Sequence, residues 1–147
     1  MVSFPHSRAA RRVFVDSSAY LGLLDADDDF HEAAVAIVSE LVRGGWRQLT
    51  TNVLVIECHA LLLSSLGIAP AARFLREIDA SRTTIVRVRA SDEARAKQII
   101  FRYTDKDFSF TDAISFAVME RLGITRAFTF DRHFSQYGFT QLTPGQV

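Results

Sequence analysis

Apolar positions along the chain fall into short continuous runs that alternate with longer segments of helical periodicity. The run "RVFVD" is β-branched and aromatic and ends in an acid, so it predicts a fully buried strand over 13–16. "SSAYLGLLDADD" follows with a good N-cap residue and predicts a short helix closed by an acidic turn. From Phe30 to Val42 the apolar residues Ala33, Ala34, Ile37, Val38 and Leu41 recur at helical spacing, and Gly44 and Gly45 end that helix. "RQLTT" predicts a second strand, and a helix follows from Asn52 to Leu66. Pro70 suits the first turn of another helix running through Ile78. "TTIVRV" predicts a third strand. Ser91 is expected to cap a helix whose first turn carries Asp92 and Glu93, where the dipole favours them. After the loop "TDKDFS", the stripe Ile114, Ala117, Val118 and Leu122 predicts a helix over 110–122, stopped by Gly123. "RAFTF" predicts a fourth strand ending at Asp131, and "GFTQL" a fifth.

Strands that alternate with helices imply an α/β fold with a parallel sheet of four to five strands and helices on both faces. In such sheets the functional crevice lies beyond the carboxyl ends of the strands. Four acids fall on that rim. Asp16 ends the first strand, Asp131 ends the fourth, Asp112 opens the helix before the fourth, and Glu57 lies in the helix after the second. Asp16 also has the position of an N-cap, Asp112 that of a capping-box residue three after Ser109, and Asp131 that of a turn residue. Glu57 has no such local reading. Its helix, "NVLVIECHALLLSSL", is apolar on the side of Glu57 (Val53, Leu54, Ala60, Leu61) and on the side of His59 (Val55, Leu62, Leu63, Leu66), which predicts burial all round. A lone buried carboxylate costs several kcal/mol or neutralises. No base lies within one turn, so a partner is expected from elsewhere, an arginine or a metal. His59 points away from Glu57 and reads as a hydrogen-bonded core or interface residue.

Length and charge refine this picture only slightly. At 147 residues one domain is expected over 13–147, preceded by a basic tail over 1–12. Acids and bases number 17 each, so net charge points to no particular partner. Cys58 is the sole cysteine, which excludes an internal disulfide and fits a reducing cytoplasm. No apolar run is long enough to span a bilayer, and Asp16 interrupts the first one too early for a twin-arginine signal. Four carboxylates in one crevice repel strongly, and two divalent cations would neutralise them. Hard oxygen donors suit Mg²⁺ or Mn²⁺ and not zinc. Two such ions suit hydrolysis of a phosphodiester.

These residues resemble the PIN-domain nucleases, and most closely the small VapC-type toxins of bacterial toxin–antitoxin pairs. The resemblance rests on "VFVDSSAYLGLLD" (Asp16), "TTNVLVIECHALL" (Glu57), "FSFTDAISFAVMERLG" (Asp112) and "TFDRHF" (Thr129, Asp131, Phe134), and it runs from about Val13 to Leu142. It implies a PIN-like three-layer α/β/α fold. It also implies a metal-dependent endoribonuclease in which Asp16, Glu57, Asp112 and Asp131 bind one or two Mg²⁺ or Mn²⁺ ions. Hydrolysis of an RNA phosphodiester would leave a 5′-phosphate and a 3′-hydroxyl. Ser17 and Thr129 match hydroxyl positions that support the acids. A homodimer and a cognate antitoxin that plugs the crevice, often with an arginine, are likewise implied. Asp105 and Asp107 read as loop solvation or as an outer metal contact, and His133 is expected at the surface, off the metal.

The alternatives are a PIN-like module that binds nucleic acid or a partner without cutting, and a related DNA nuclease. A haloacid-dehalogenase-like phosphatase needs an acid at position 18, which here is Ser18. A phosphoacceptor receiver needs an acidic pair and a late lysine, which are not evident. Arg73, Arg76, Arg82, Arg87 and Arg89 form a basic stretch that reads either as an RNA path or as plain solvated surface.

Overall fold

The computed structural model describes residues 11–147, so the tail expected over 1–12 lies outside the described residues except for Arg11 and Arg12. Arg12 already belongs to the first strand. The elements are β1 (Arg12–Val15), α1 (Ser17–Leu24), α2 (His31–Arg43), β2 (Arg47–Thr51), α3 (Asn52–Leu66) and α4 (Ile68–Ala80). They continue with β3 (Thr84–Val86), α5 (Ala90–Arg102), α6 (Phe110–Leu122), β4 (Arg126–Phe128), α7 (His133–Tyr137) and β5 (Thr140–Gln141). All four strand pairings are parallel, in the order β3-β2-β1-β4-β5.

Strand alternation builds the layers. On β1, Phe14 points to one face, where Leu49 and the apolar sides of α5 and α6 cover it (Ile99, Ile114, Phe116, Val118). Val13 and Val15 point to the other face and pack with Ala19, Ala34, Ile37 and Leu41 of α1 and α2. Cys58 and Leu62 of α3 pack with Ala71, Phe74 and Ile78 of α4 in a third cluster. The result is the expected three-layer arrangement. The chain leaves β1 toward β2 and β3, then returns to place β4 and β5 on the opposite side of β1. The switch point between β1 and β4 is therefore where a crevice opens at the carboxyl ends of the strands.

Helix ends follow their local chemistry. Thr51 accepts a hydrogen bond from Leu54 N at 3.1 Å and caps α3. Gly123, in the left-handed region at φ 67°, closes α6, with Ile124 N bonded to Met119 O. Four expectations need correction. The N-cap of α5 is Arg89, not Ser91, and Asp92 accepts from Arg89 N at 2.8 Å. β4 ends at Phe128, so Asp131 lies in the loop after it and not at the strand's last position. The short helix α7 was not anticipated. Finally, α3 is not buried all round: Leu54, Cys58 and Leu62 form a single buried line, while Ile56 is 68% exposed and Leu61 and Leu63 also face outward.

Asp92 is the least exposed acid of the described residues, at 2%. Arg121 grips it in a bidentate pair at 2.8 and 2.9 Å, which ties α5 to α6 and holds the carboxyl below its ordinary pKa. Arg121→Ala would strand that carboxylate and should cost about 3 kcal/mol in urea unfolding at neutral pH. A loss below about 0.5 kcal/mol, the usual surface value, would show that the pair does not clamp the two helices.

Candidate functional site

The N-terminal ends of α1, α3 and α6 and the loop after β4 meet at the switch point, and each contributes one acid. Asp16 follows β1 directly, and its N–H continues the sheet by bonding to Phe128 O at 3.1 Å. Its Oδ2 accepts from Thr129 Oγ1 at 2.9 Å, from Ser18 Oγ at 2.8 Å and from Ser18 N at 3.4 Å. Glu57, one and a half turns into α3, accepts from Ser17 Oγ at 3.2 Å through Oε2. Asp112 exchanges capping-box bonds with Ser109 at 3.0 and 3.1 Å through its backbone N–H and Oδ2. Asp131 takes the His133 N–H on Oδ1 at 2.9 Å, and its own N–H bonds to Thr129 Oγ1. The local roles as caps and turn are thus all realised, and they do not compete with a shared site. They use one oxygen of each carboxylate and leave Asp16 Oδ1, Glu57 Oε1, Asp112 Oδ1 and Asp131 Oδ2 without a hydrogen bond from the described residues.

The charges of these acids act on one another. The Glu57 carboxyl is pushed above its ordinary range, first by burial and then by the charges of Asp16, Asp112 and Asp131, with the Ser17 hydroxyl opposing. Burial likewise raises Asp16, against the hydroxyls of Ser18 and Thr129, and the charge of Asp131 adds to it. Asp112 is raised first by burial and also by Asp131. No lysine or arginine makes a salt bridge to any of the four among the described residues. None of the described arginines is therefore the partner expected for Glu57.

His133 corrects a further expectation. Its side chain is only 17% exposed, and it lies inside the cluster instead of at the surface. Nδ1 is 3.0 Å from Asp131 Oδ1 and 3.2 Å from Asp112 Oδ2, while Nε2 meets Asp107 Oδ1 at 2.9 Å. Burial lowers its pKa, but Asp107, Asp131 and Asp112 outweigh burial and raise it. Asp107 is thus a partner of His133 and not mere loop solvation, whereas Asp105 pairs with Lys106. The sequence does not show this because it depends on a side-chain turn: the His133 N–H bonds back to Asp131 Oδ1 at 2.9 Å at the start of α7 and brings the ring beside the acids. Ser18 was considered only as a missing acid, yet its hydroxyl holds Asp16 and accepts the Phe130 N–H at 2.9 Å. His59 lies outside the cluster and makes no hydrogen bond through its ring among the described residues, so a hydrogen-bonded role is not found. The arginine stretch divides: Arg87 and Arg89 follow β3 on the crevice side of the sheet. Arg82 precedes β3 and lines a groove of about 700 Å³ at the opposite end, beside Trp46 and Arg47.

The donor set fits a hard divalent cation. One ligand atom each from Asp112, Asp131 and His133 lies within 4.8 Å of the others; Asp16 and Glu57 do not join that close group, and each keeps one free oxygen among the described residues.

A PIN domain profile matches residues 13–140. The chain is 33% identical over 142 residues to the 23S rRNA-specific endonuclease VapC20 of Mycobacterium tuberculosis, covering 90% of this chain and 98% of that protein. It is 33% identical over 125 residues to a VapC ribonuclease of Archaeoglobus fulgidus, covering 82% and 78%. The crystal structure of M. tuberculosis VapC20, described as a sarcin-ricin loop cleaving toxin, superposes with a TM-score of 0.81 at 31% identity, over 90% of this chain and 99% of that one.

The raised carboxyls carry a sign. The native state binds more protons than the unfolded chain once the pH passes the ordinary glutamate value of 4.5, so metal-free stability falls as pH rises toward the native pKa values. Glu57→Gln should therefore raise the melting temperature of the chelator-treated protein by a few degrees at pH 7 and by nothing at pH 4. Equal shifts at both pH values would mean that charge repulsion is not what the substitution relieves.

Proposed function

The chain belongs to the PIN-domain family, and from that membership we propose that it is a metal-dependent endoribonuclease, the toxin of a VapC-type toxin–antitoxin pair. The observation that supports this reading best is the convergence of four acids from separate segments on the β1–β4 switch point, tethered there by the hydroxyls of Ser17, Ser18, Ser109 and Thr129. We assign these four as the metal-binding and catalytic carboxylates, with one or two Mg²⁺ or Mn²⁺ ions as the cofactor. When bound, such an ion supplies Lewis-acid polarisation of the phosphodiester and a lowered pKa for water.

The rest of the chemistry falls to the chain. Thr129 and Ser18 aim Asp16, and Ser17 aims Glu57, by hydrogen bonds that fix one oxygen and leave the other toward the crevice. Ser109 holds Asp112 through the capping box. Rigid caps of this kind place the donors before substrate arrives, which lowers the reorganisation the reaction demands. Arg87 and Arg89 lie on the side from which a phosphate backbone would approach.

The substrate is RNA, and by likeness to VapC20 a structured ribosomal RNA loop is the first to test. An antitoxin segment carrying an arginine would suit the same acidic crevice. A homodimer is supported by the apolar residues that α3 and α4 leave exposed, among them Ile56 and Ile68. No helix among the described residues is long and apolar enough to cross a membrane, and we place the protein in the cytoplasm. We read residues 13–147 as one nuclease domain.

Asp112→Asn should lower RNA cleavage in Mn²⁺ by more than about a hundredfold, the least expected when a ligand is lost and not merely its support. Circular dichroism should show the fold retained. Single-stranded DNA of the same sequence should stay intact. Undiminished cleavage by the variant, or by the wild type in excess chelator, would refute the assignment, and cleavage of DNA alone would favour the DNA-nuclease reading.

A further inference from the structure

We propose that His133 is a nitrogen ligand of the metal, so that the site takes a mixed carboxylate–imidazole set and favours Mn²⁺ over Mg²⁺. This rests on the metal-dependent reading above. Three observations carry it. First, Nδ1 of His133 is fully buried and has no hydrogen-bond partner among the described residues, although Asp131 Oδ1 and Asp112 Oδ2 lie 3.0 and 3.2 Å away. Neither contact has the alignment of a hydrogen bond. A buried polar atom left in this state calls for an explanation, and an atom shared by the nitrogen and both oxygens supplies one. Second, Nε2 meets Asp107 Oδ1 at 2.9 Å. A carboxylate only accepts, so Nε2 carries a hydrogen, and Nδ1, which faces Asp131 and Asp112, is the nitrogen that would coordinate once a cation displaces any proton it holds. A ligating histidine commonly donates its other N–H to a carboxylate in this way. Third, the ring is held in place by more than its polar contacts. Phe108, itself buried, meets it edge-on at 5.6 Å. The neighbouring Phe134, wholly buried, anchors α7 against Phe116.

The consequence is chemical selectivity. Imidazole suits transition ions, whereas an all-oxygen set suits Mg²⁺. Asp107 becomes a positioning residue, and the order of the segment 107–133 is read as one device: Asp107 orients His133, and His133 joins Asp112 and Asp131.

Pulsed electron paramagnetic resonance of the full chain loaded with Mn²⁺ tests this. Wild-type protein should show the modulation of a directly bound nitrogen, and labelling with nitrogen-15 histidine should change it. His133→Gln should still bind Mn²⁺ through the carboxylates, without that modulation and with roughly tenfold weaker affinity. Asp107→Asn should keep the modulation and weaken binding. Tight Mn²⁺ binding by the wild type with no nitrogen modulation would overturn the inference alone. No bound Mn²⁺ at all would overturn the metal-dependent reading and this inference with it.

Discussion

Repulsion among four carboxylates is the constraint on which the site depends. Asp16, Glu57, Asp112 and Asp131 come from four separated segments, and each one that is raised is raised by burial together with the charge of at least one other. Left alone, such a cluster works against the fold at neutral pH. The fold tolerates it because three of the acids are also local structural devices and the fourth sits on a well-anchored helix. Asp16 caps α1, Asp112 completes a capping box, Asp131 closes a turn, and Glu57 rides on a helix anchored by Leu54, Cys58 and Leu62. Those tethers each occupy one oxygen, so the charge that remains is directed at a single region.

The sheet supplies the convergence. Because β1 lies between β2 and β4, the loops after β1 and β4 are neighbours although more than a hundred residues separate them in the chain. Thr129 reaches across that boundary to Asp16, and Ser18 reaches back to Phe130 N. These cross-boundary hydroxyl bonds join the two halves of the site more directly than packing does. Arg121 and Asp92 perform a comparable task away from the site by locking α5 to α6, the helix that presents Asp112.

The layer order and the positions of the four acids were legible in the sequence, because each rests on a strand run or a helix start whose local chemistry is strong, whereas the hydroxyls of Ser17 and Thr129 were pointed to only by the resemblance to the PIN family. β2 and α3 run as their apolar patterns predict, and α6 begins and ends where Ser109 and Gly123 predict. What stayed hidden depends on tertiary geometry. The five-residue helix α7 buries Phe134 and little else, too short a pattern to register as periodic. Without it, His133 reads as a surface neighbour of Asp131. The exposed side of α3 was hidden for the opposite reason. Apolar residues all round a helix imply cover, and the described residues of one chain leave Ile56, Leu61 and Leu63 open. Glu57 accordingly sits at the edge of a half-covered helix, and the carboxylate is less of an exception than its sequence context suggests.

The account stands on a divalent cation that binds the folded chain through these acids. Its most direct measurement is the melting temperature with and without millimolar Mn²⁺, for the wild type and for Asp16→Asn. A ligand that binds only the folded state must raise its stability. A clear upward shift for the wild type and a much smaller one for the variant is the predicted result. A wild-type melting temperature that does not move in millimolar Mn²⁺ would contradict it.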